Sequence, residues 1–371
     1  MAGEKQHAGA ILTIDLDAVR VNYRRLRRQA GAAACAGVLK ADAYGLGAAR
    51  IAPALAAEGC RHFFVAHLDE GIALRPMVPE AAEIFVLHGP PPDTEPEFLR
   101  HRLIPVLNST EQIAGWRRMA RLSGRRLPAI VQVDSGMSRM GLAPAEVDAW
   151  LNDPDFLRGI ELRYLMSHLA CAECPEHPMN ASQLLAFNEL RARLPRCPAS
   201  LANSSGIFLG PDFHFDLVRP GAALYGVAPV ANAENPMRPV VRLQARIIQT
   251  RTIADGDAVG YGVTYRARGR RRIATIATGY ADGWLRSLSN RGVALAGGVR
   301  TPIVGKVSMD TCSIDVSEVH PDLVFPGACV DLISPEQTVD DVAALAGTIG
   351  YEILTSLGSR YHRAYVGEPG I

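Results

Sequence analysis

Lys40 is the first residue in this chain whose position could do chemistry. The apolar run Ala36 to Leu39 reads as a buried β-strand, Lys40 ends it, and Gly45 and Gly47 follow at once. A lysine held where a core strand meets a loop loses hydration. Its pKa then falls and its neutral amine becomes available as a nucleophile. Snorkelling to solvent is the ordinary alternative for a lysine at such a place. Other residues of useful type recur at the ends of later apolar runs, among them Arg139, His168, Ser204 and Arg219.

Those runs predict the scaffold. After the strand ending at Lys40, strand-like segments fall at Phe63–Ala66, Ile84–Leu87, Ile104–Leu107, Ala129–Val133, Leu162–Met166, Ser200–Ala202 and Phe215–Val218, with helix-compatible segments in most intervals. Strands alternating with helices imply a parallel sheet, and eight such units imply a (β/α)8 barrel. A barrel places chemistry at the C-terminal ends of its strands. Here those ends carry Lys40, Asp134 to Arg139, His168, Asn203-Ser204-Ser205-Gly206 and Arg219-Pro220-Gly221. The loops after strands seven and eight often bind phosphate in this fold, and here they are rich in Ser and Gly. An amine nucleophile and a phosphate-bearing ligand in one barrel mouth suggest a pyridoxal phosphate site or a Schiff-base sugar-phosphate aldolase.

An amphipathic helix should precede the barrel, with Asp15 as its capping carboxylate and Leu16, Val19, Tyr23 and Leu26 on one face. Beyond Val230 the texture changes to β-branched runs separated by turns: Val240–Thr250, Arg272–Thr278, Val293–Ala296, Ile303–Val307, Ser313–Val316 and Ala328–Ile333. One helix is expected there, Val339 to Leu345 with Thr338 as its cap. The domain expectation is a barrel over 11–232 and a mostly antiparallel β domain over 233–371, which the first strand, 10–14, could join.

Composition excludes several function classes. The chain has 371 residues and a net charge of +1, which gives no electrostatic case for nucleic acid or an anionic membrane. No run nears the roughly 20 apolar residues that span a bilayer, and the N-terminus lacks an export core. Seven cysteines, an odd number scattered along a long chain, fit reduced thiols in the cytoplasm better than a disulfide framework. Cys171-x-x-Cys174 with His177 lacks a second ligand pair, so no metal is expected.

Six motifs, in order over 270 residues, resemble the alanine racemase family. They are Lys40-Ala-Asp-Ala-Tyr-Gly45, Val133-Asp-Ser-Gly-Met-Ser-Arg-Met-Gly141, Arg219-Pro-Gly-Ala-Ala-Leu-Tyr-Gly226, Gly260-Tyr-Gly-Val-Thr264, Gly279-Tyr-Ala-Asp-Gly283 and Val307-Ser-Met-Asp310. The resemblance covers essentially the whole chain. It implies a barrel plus β domain, pyridoxal 5'-phosphate as cofactor, and racemisation of alanine by two bases. Lys40 would hold the cofactor and exchange the substrate's α-proton on one face. Tyr261 matches the base of the other face, with Tyr265 as runner-up. Tyr44, Ser204 and the backbone of Gly221 would hold the phosphate. Arg219 would face the pyridine nitrogen and, having only donors, leave it neutral. Arg139 and the backbone of Met309 would receive the substrate carboxylate. His168 would lie against the cofactor ring or serve structure alone. The resemblance also implies a head-to-tail homodimer in which Tyr261 serves the partner's site, and it leaves wall synthesis and catabolism both open.

Two positions depart from the family pattern. Gln132 stands where some members carry a carbamylated lysine; it can accept a hydrogen bond from Arg139 but adds no charge. Ser359 is read as the position where some members carry a tyrosine lining the site entrance. That reading opens a wider-pocket racemase acting on serine or other small amino acids. A related pyridoxal-dependent decarboxylase, a non-catalytic pyridoxal-binding barrel and the aldolase are the remaining alternatives.

Overall fold

A computed structural model describes residues 7–367. Eight parallel strands make the barrel. The first, broken at Ala36, runs as Ala34–Cys35 and Gly37–Val38; the others are His62–Val65, Glu83–Val86, Ile104–Leu107, Leu127–Gln132, Ile160–Met166, Ala199–Ser200 and Leu217–Val218. Consecutive strands pair from Gly37–Val38 round to Ala199–Ser200. The last strand closes the ring. Leu217–Val218 pairs with Ala34–Cys35, and Arg219 bridges Asn203. Backbone amides seal the seam, Arg219 N–H donating to Ala202 C=O at 2.9 Å and Val38 N–H to Pro220 C=O at 3.0 Å. Both faces of these strands are covered, so they read as continuous apolar runs rather than alternating ones. Phe63, Phe64, Ile84, Phe85, Val106, Ile130 and Val131 are all fully buried.

The helix before the barrel spans Leu16–Gln29. The Asp15 carboxylate accepts the Ala18 amide at 2.9 Å, which satisfies an otherwise unpaired donor of the first turn. Its apolar face is buried, and the Tyr23 hydroxyl fastens it to the Cys35 carbonyl at 3.0 Å.

The second sheet is built on the long strand Val241–Ile253. That strand pairs antiparallel with Ala10–Asp15, Arg271–Ile276 and Cys329–Ile333. Arg271–Ile276 pairs with Cys312–Asp315, and Val293–Ala296 joins Cys329–Ile333 to Val299–Pro302. Ala10–Asp15 also pairs in parallel with His362–Val366. The C-terminal strand is therefore tied to the chain's start and reaches the barrel mouth: the Tyr365 hydroxyl donates to the Leu46 carbonyl at 3.0 Å, and Arg363 donates to the Gly45 carbonyl.

Two expectations are corrected. The run Ile303–Val307 is not a strand. The strand is Val299–Pro302, and Ile303 makes only an isolated bridge to Ile314, because the chain turns at Gly305 with φ +78°. Two helices, not one, follow the last antiparallel strand: Val339–Ala346, capped by the Thr338 hydroxyl, and Gly350–Ser356. The second is a seven-residue helix that opens on glycine, too short to show a helical period. No helix among the described residues is long and apolar enough to cross a membrane.

Leu12 sits at the centre of the strand Ala10–Asp15, which lies between Val241–Ile253 and His362–Val366; it is opposite Leu243 and fully buried. Leu12→Ala is expected to lower unfolding stability by about 2–5 kcal/mol. Chemical denaturation checks this; a change within about 0.5 kcal/mol, the range of ordinary surface substitutions, would show that the strand does not anchor the sheet.

Candidate active site

Lys40 stands at the C-terminal end of the first barrel strand, and the chain leaves it by an unusual path. Ala41, Asp42, Ala43 and Tyr44 all have positive φ, between 52° and 57°. They form one left-handed turn, a conformation that costs an L-residue about 1–2 kcal/mol each. Neighbours hold it. The Glu70 carboxylate accepts the Ala41 amide at 2.6 Å, and the Asp42 carboxylate accepts the Ala48 amide at 2.7 Å. The Tyr44 ring packs on Tyr225 with centroids 5.0 Å apart. Gly47 then turns at φ +94°, where a Cβ would lie 2.2 Å from the Tyr365 hydroxyl. The turn throws Tyr44 across the barrel mouth toward Gly221. A Cβ on Gly221 would meet the Tyr44 hydroxyl at 2.3 Å, so only glycine admits the tyrosine there. Ser204 Oγ accepts the amides of Gly221 (2.9 Å) and Ala223 (3.2 Å) and keeps its own O–H to donate.

Arg219 lies buried in the barrel wall. Its guanidinium donates to the Ser167 carbonyl at 2.7 Å, to the Leu201 carbonyl at 3.3 Å and to the Ser200 hydroxyl, and it reaches His168 Nδ1 at 3.3 Å. None of these partners is a carboxylate. Burial pushes the guanidinium down to about 9, so it keeps its charge at neutral pH. Burial, together with the positive charges of Arg219, Arg139 and Lys40, pushes the His168 imidazole down to about 3. His168 is therefore neutral, with Nδ1 as the acceptor toward Arg219 by assignment from this network. Burial lowers the Lys40 amine, Arg139 lowers it further, and Glu70 pulls it partly back up.

Arg139 is carried by the loop after the fifth strand. That loop is shaped by Asp134, whose carboxylate accepts the amides of Gly136 (2.8 Å), Met137 (2.8 Å) and Ser138 (3.0 Å). Gln132 lies beneath it. Its amide donates to the Met140 carbonyl at 3.2 Å, not to or from Arg139 as the sequence suggested. The Arg139 guanidinium makes no hydrogen bond or ion pair among the described residues, although it lines the cavity.

Lys40, Tyr44, Arg139, His168, Ser204, Arg219 and Gly221 converge on one cavity of about 270 Å³. Two further residues line it that sequence reasoning missed. His88 ends the third strand, and its ring meets His67 edge-on at 4.5 Å. Tyr351 comes from the short helix Gly350–Ser356 and stands 6.0 Å from Tyr44. Ser359 is exposed and does not line the cavity, so Tyr351, not the residue at 359, supplies a tyrosine to the wall. The signal for Tyr351 was hidden with its helix.

Tyr261 and Met309 do not enter this chain's own cavity. They stand on turns of the second sheet and are 73% and 53% exposed. Val263 and Tyr280 are exposed beside them, and the amides of Tyr280 and Ala281 donate to the Ser308 and Met309 carbonyls, each at 3.0 Å. Tyr265 points elsewhere: its hydroxyl reaches the Asp315 carboxylate at 3.5 Å, and burial with that charge raises its pKa. The seven cysteines are free thiols, and no cluster of His, Cys, Asp or Glu among the described residues could hold a metal.

His168 supplies a pH test. Its folded pKa of about 3 lies below the ordinary value of 6.5, so below pH 6.5 the unfolded chain binds a proton that the folded chain refuses. Stability should then fall on acidification from pH 6.5 toward 3, by at most about 1.4 kcal/mol per pH unit from this group. His168→Gln should flatten that slope. Equal slopes in denaturation series across this range would mean that His168 titrates normally.

Models of the alanine racemase N-terminal and C-terminal domains match residues 14–229 and 240–365. The chain is 57% identical over 360 residues to a catabolic alanine racemase of Mesorhizobium japonicum, covering 97% of this chain and 94% of that one. It is 50% identical over 366 residues to an alanine racemase of Rhodospirillum rubrum, covering 98% of each. The crystal structure of alanine racemase from Bartonella henselae with covalently bound pyridoxal phosphate superposes with a TM-score of 0.94 at 44% identity, covering 97% of this chain and 100% of that one. With a barrel mouth of this composition and relatives that span it end to end, the chain belongs to the alanine racemase family.

Proposed function

We propose that the protein is a pyridoxal-phosphate-dependent racemase that interconverts L- and D-alanine. One observation carries the reading: Lys40, Arg139, His168, Ser204 and Arg219, from the ends of different strands, line a single cavity. The residues fit the cofactor. Ser204 and Tyr44 beside Gly221 offer hydroxyls and a tight glycine backbone to a phosphate, and buried Arg219 offers only donors to a ring nitrogen. When bound, the cofactor supplies the electron sink that acidifies the α-carbon.

The chain's own side chains then divide the work. Lys40, its amine lowered by burial, would hold the cofactor, and the same amine is placed to give or take the α-proton on its face. Arg219, which has only donors, would face the ring nitrogen of a bound cofactor without protonating it. Neutral His168 packs without adding charge. Arg139, without a partner among the described residues, receives the substrate carboxylate. Tyr351 in the wall favours alanine over the larger substrates that a tyrosine-free entrance would have admitted. Free thiols, several of them not buried, support a reducing cytoplasm.

Racemisation needs a second base on the opposite face, because one base returns the proton where it came from. We assign that role to Tyr261, with the Met309 backbone as a further carboxylate donor, both supplied by a partner subunit. Their exposure beside Val263 and Tyr280 supports this: such an apolar patch marks an interaction surface. The engagement of Tyr265 with Asp315 argues against the runner-up.

Subunit mixing tests the assignment. Lys40→Ala and Tyr261→Phe chains should each be inactive alone. In a mixed dimer with shared sites, one site loses both residues and the other keeps both. Random exchange makes about half the dimers mixed, so about a quarter of the sites should be wild type. Chiral analysis of alanine after verified exchange should show about that recovery. Activity that stays at the level of the single variants would refute the shared site.

A further inference from the structure

The left-handed turn after Lys40 is fixed by one acidic residue that no sequence motif singled out. Glu70 lies in the first turn of the helix Leu68–Leu74, which follows the second barrel strand, and its carboxylate spans two strand ends. Oε1 accepts the Ala41 amide at 2.6 Å; Oε2 accepts the Ala66 amide at 2.7 Å and the His67 amide at 3.0 Å. Ala41 is the first of the four residues with positive φ. The carboxylate thus joins the residue after Lys40 to the end of the neighbouring strand by hydrogen bonds from three amides. A charged acceptor makes such bonds shorter and stronger than neutral ones.

We propose that Glu70 is the positioning residue for Lys40: it clamps the strained turn so that the lysine leaves its strand toward the cavity, and it sets a negative charge beside the amine. This rests on the reading of Lys40 as the cofactor-bearing, proton-transferring lysine. Among the described residues, the other charged or titratable groups around Lys40 push the opposite way or are neutral. Arg139 comes from the loop after the fifth strand, Arg219 from the end of the eighth, His88 from the end of the third and His168 from the end of the sixth; Tyr44 and Tyr351 contribute phenols to the same cavity. Of these neighbours, only Glu70 raises the amine's proton affinity.

The two roles separate experimentally. Glu70→Gln removes the charge and replaces one accepting oxygen by a donor that faces amides. Glu70→Asp keeps the charge but is one methylene short of spanning both strands. With alanine as substrate, kcat should fall about ten- to a hundred-fold in Glu70→Gln, as expected for a misplaced catalytic group. In the reaction direction in which Lys40 accepts the proton, the acid limb of kcat should also move to lower pH by about half a unit or more. The sign follows because loss of a nearby negative charge makes the ammonium easier to deprotonate. Glu70→Asp should lose kcat with the limb in place. Both variants should release cofactor faster than wild type, read as loss of visible absorbance on dialysis. An acid limb that does not move in Glu70→Gln, or cofactor release at the wild-type rate in both variants, overturns the assignment. Should Glu70→Gln fail to fold, Glu70→Asp with wild-type kcat and wild-type cofactor retention does the same. A wild-type protein that binds no cofactor would instead sink the racemase reading itself.

Discussion

Three cationic side chains, Lys40, Arg139 and Arg219, surround one cavity of about 270 Å³, and none of them pairs with a carboxylate by an ion pair among the described residues. Like charges held together out of bulk water raise one another's cost and favour whatever neutral or anionic state relieves it. The site responds on three levels. Lys40 shifts toward its neutral amine, His168 stays uncharged, and Glu70 supplies a single compensating charge at the edge. What remains is a cavity with a surplus of positive charge, which favours an anionic ligand. The cationic surplus and burial together lower the proton affinity of the Lys40 amine.

Holding that surplus in place makes demands on the backbone. The chain could have left Lys40 in an ordinary right-handed turn. It takes the left-handed path instead, and this delivers Tyr44 to Gly221 across the seam where the barrel closes. The C-terminal strand supports the same loop through Tyr365 and Arg363, so the second sheet braces the barrel mouth as well as extending beyond it. Strain in the turn is tolerated because the surroundings over-determine it, the usual condition for strained backbone at a working site.

The barrel was legible because its strands are buried on both faces. Each appears as an apolar run ended by a polar or glycine residue, and all eight runs match observed strands to within a few residues. The lysine, the Asp134 loop and the Ser/Gly loops could be placed from the same rule, since a barrel fixes which end of each strand does chemistry. Legibility failed where local signals are short or ambiguous. The turn at Gly305 displaced a strand from Ile303–Val307 to Val299–Pro302. The short helix Gly350–Ser356 hid Tyr351 and led to Ser359 being read in its place. Gln132 was paired with Arg139 through the family resemblance, whereas its amide donates to the Met140 carbonyl. His88 and Glu70 were missed because an isolated histidine or glutamate carries no pattern; only the closing of the barrel brings them to Lys40.

The account turns on Lys40 as the residue that carries the cofactor. The most direct measurement is reduction of the purified, visibly absorbing protein with borohydride, followed by proteolysis and mass spectrometry of the labelled peptide. The account predicts one pyridoxyl group per chain, on the peptide containing Lys40. A label on any other lysine, or a protein with no visible absorbance to reduce, would contradict it.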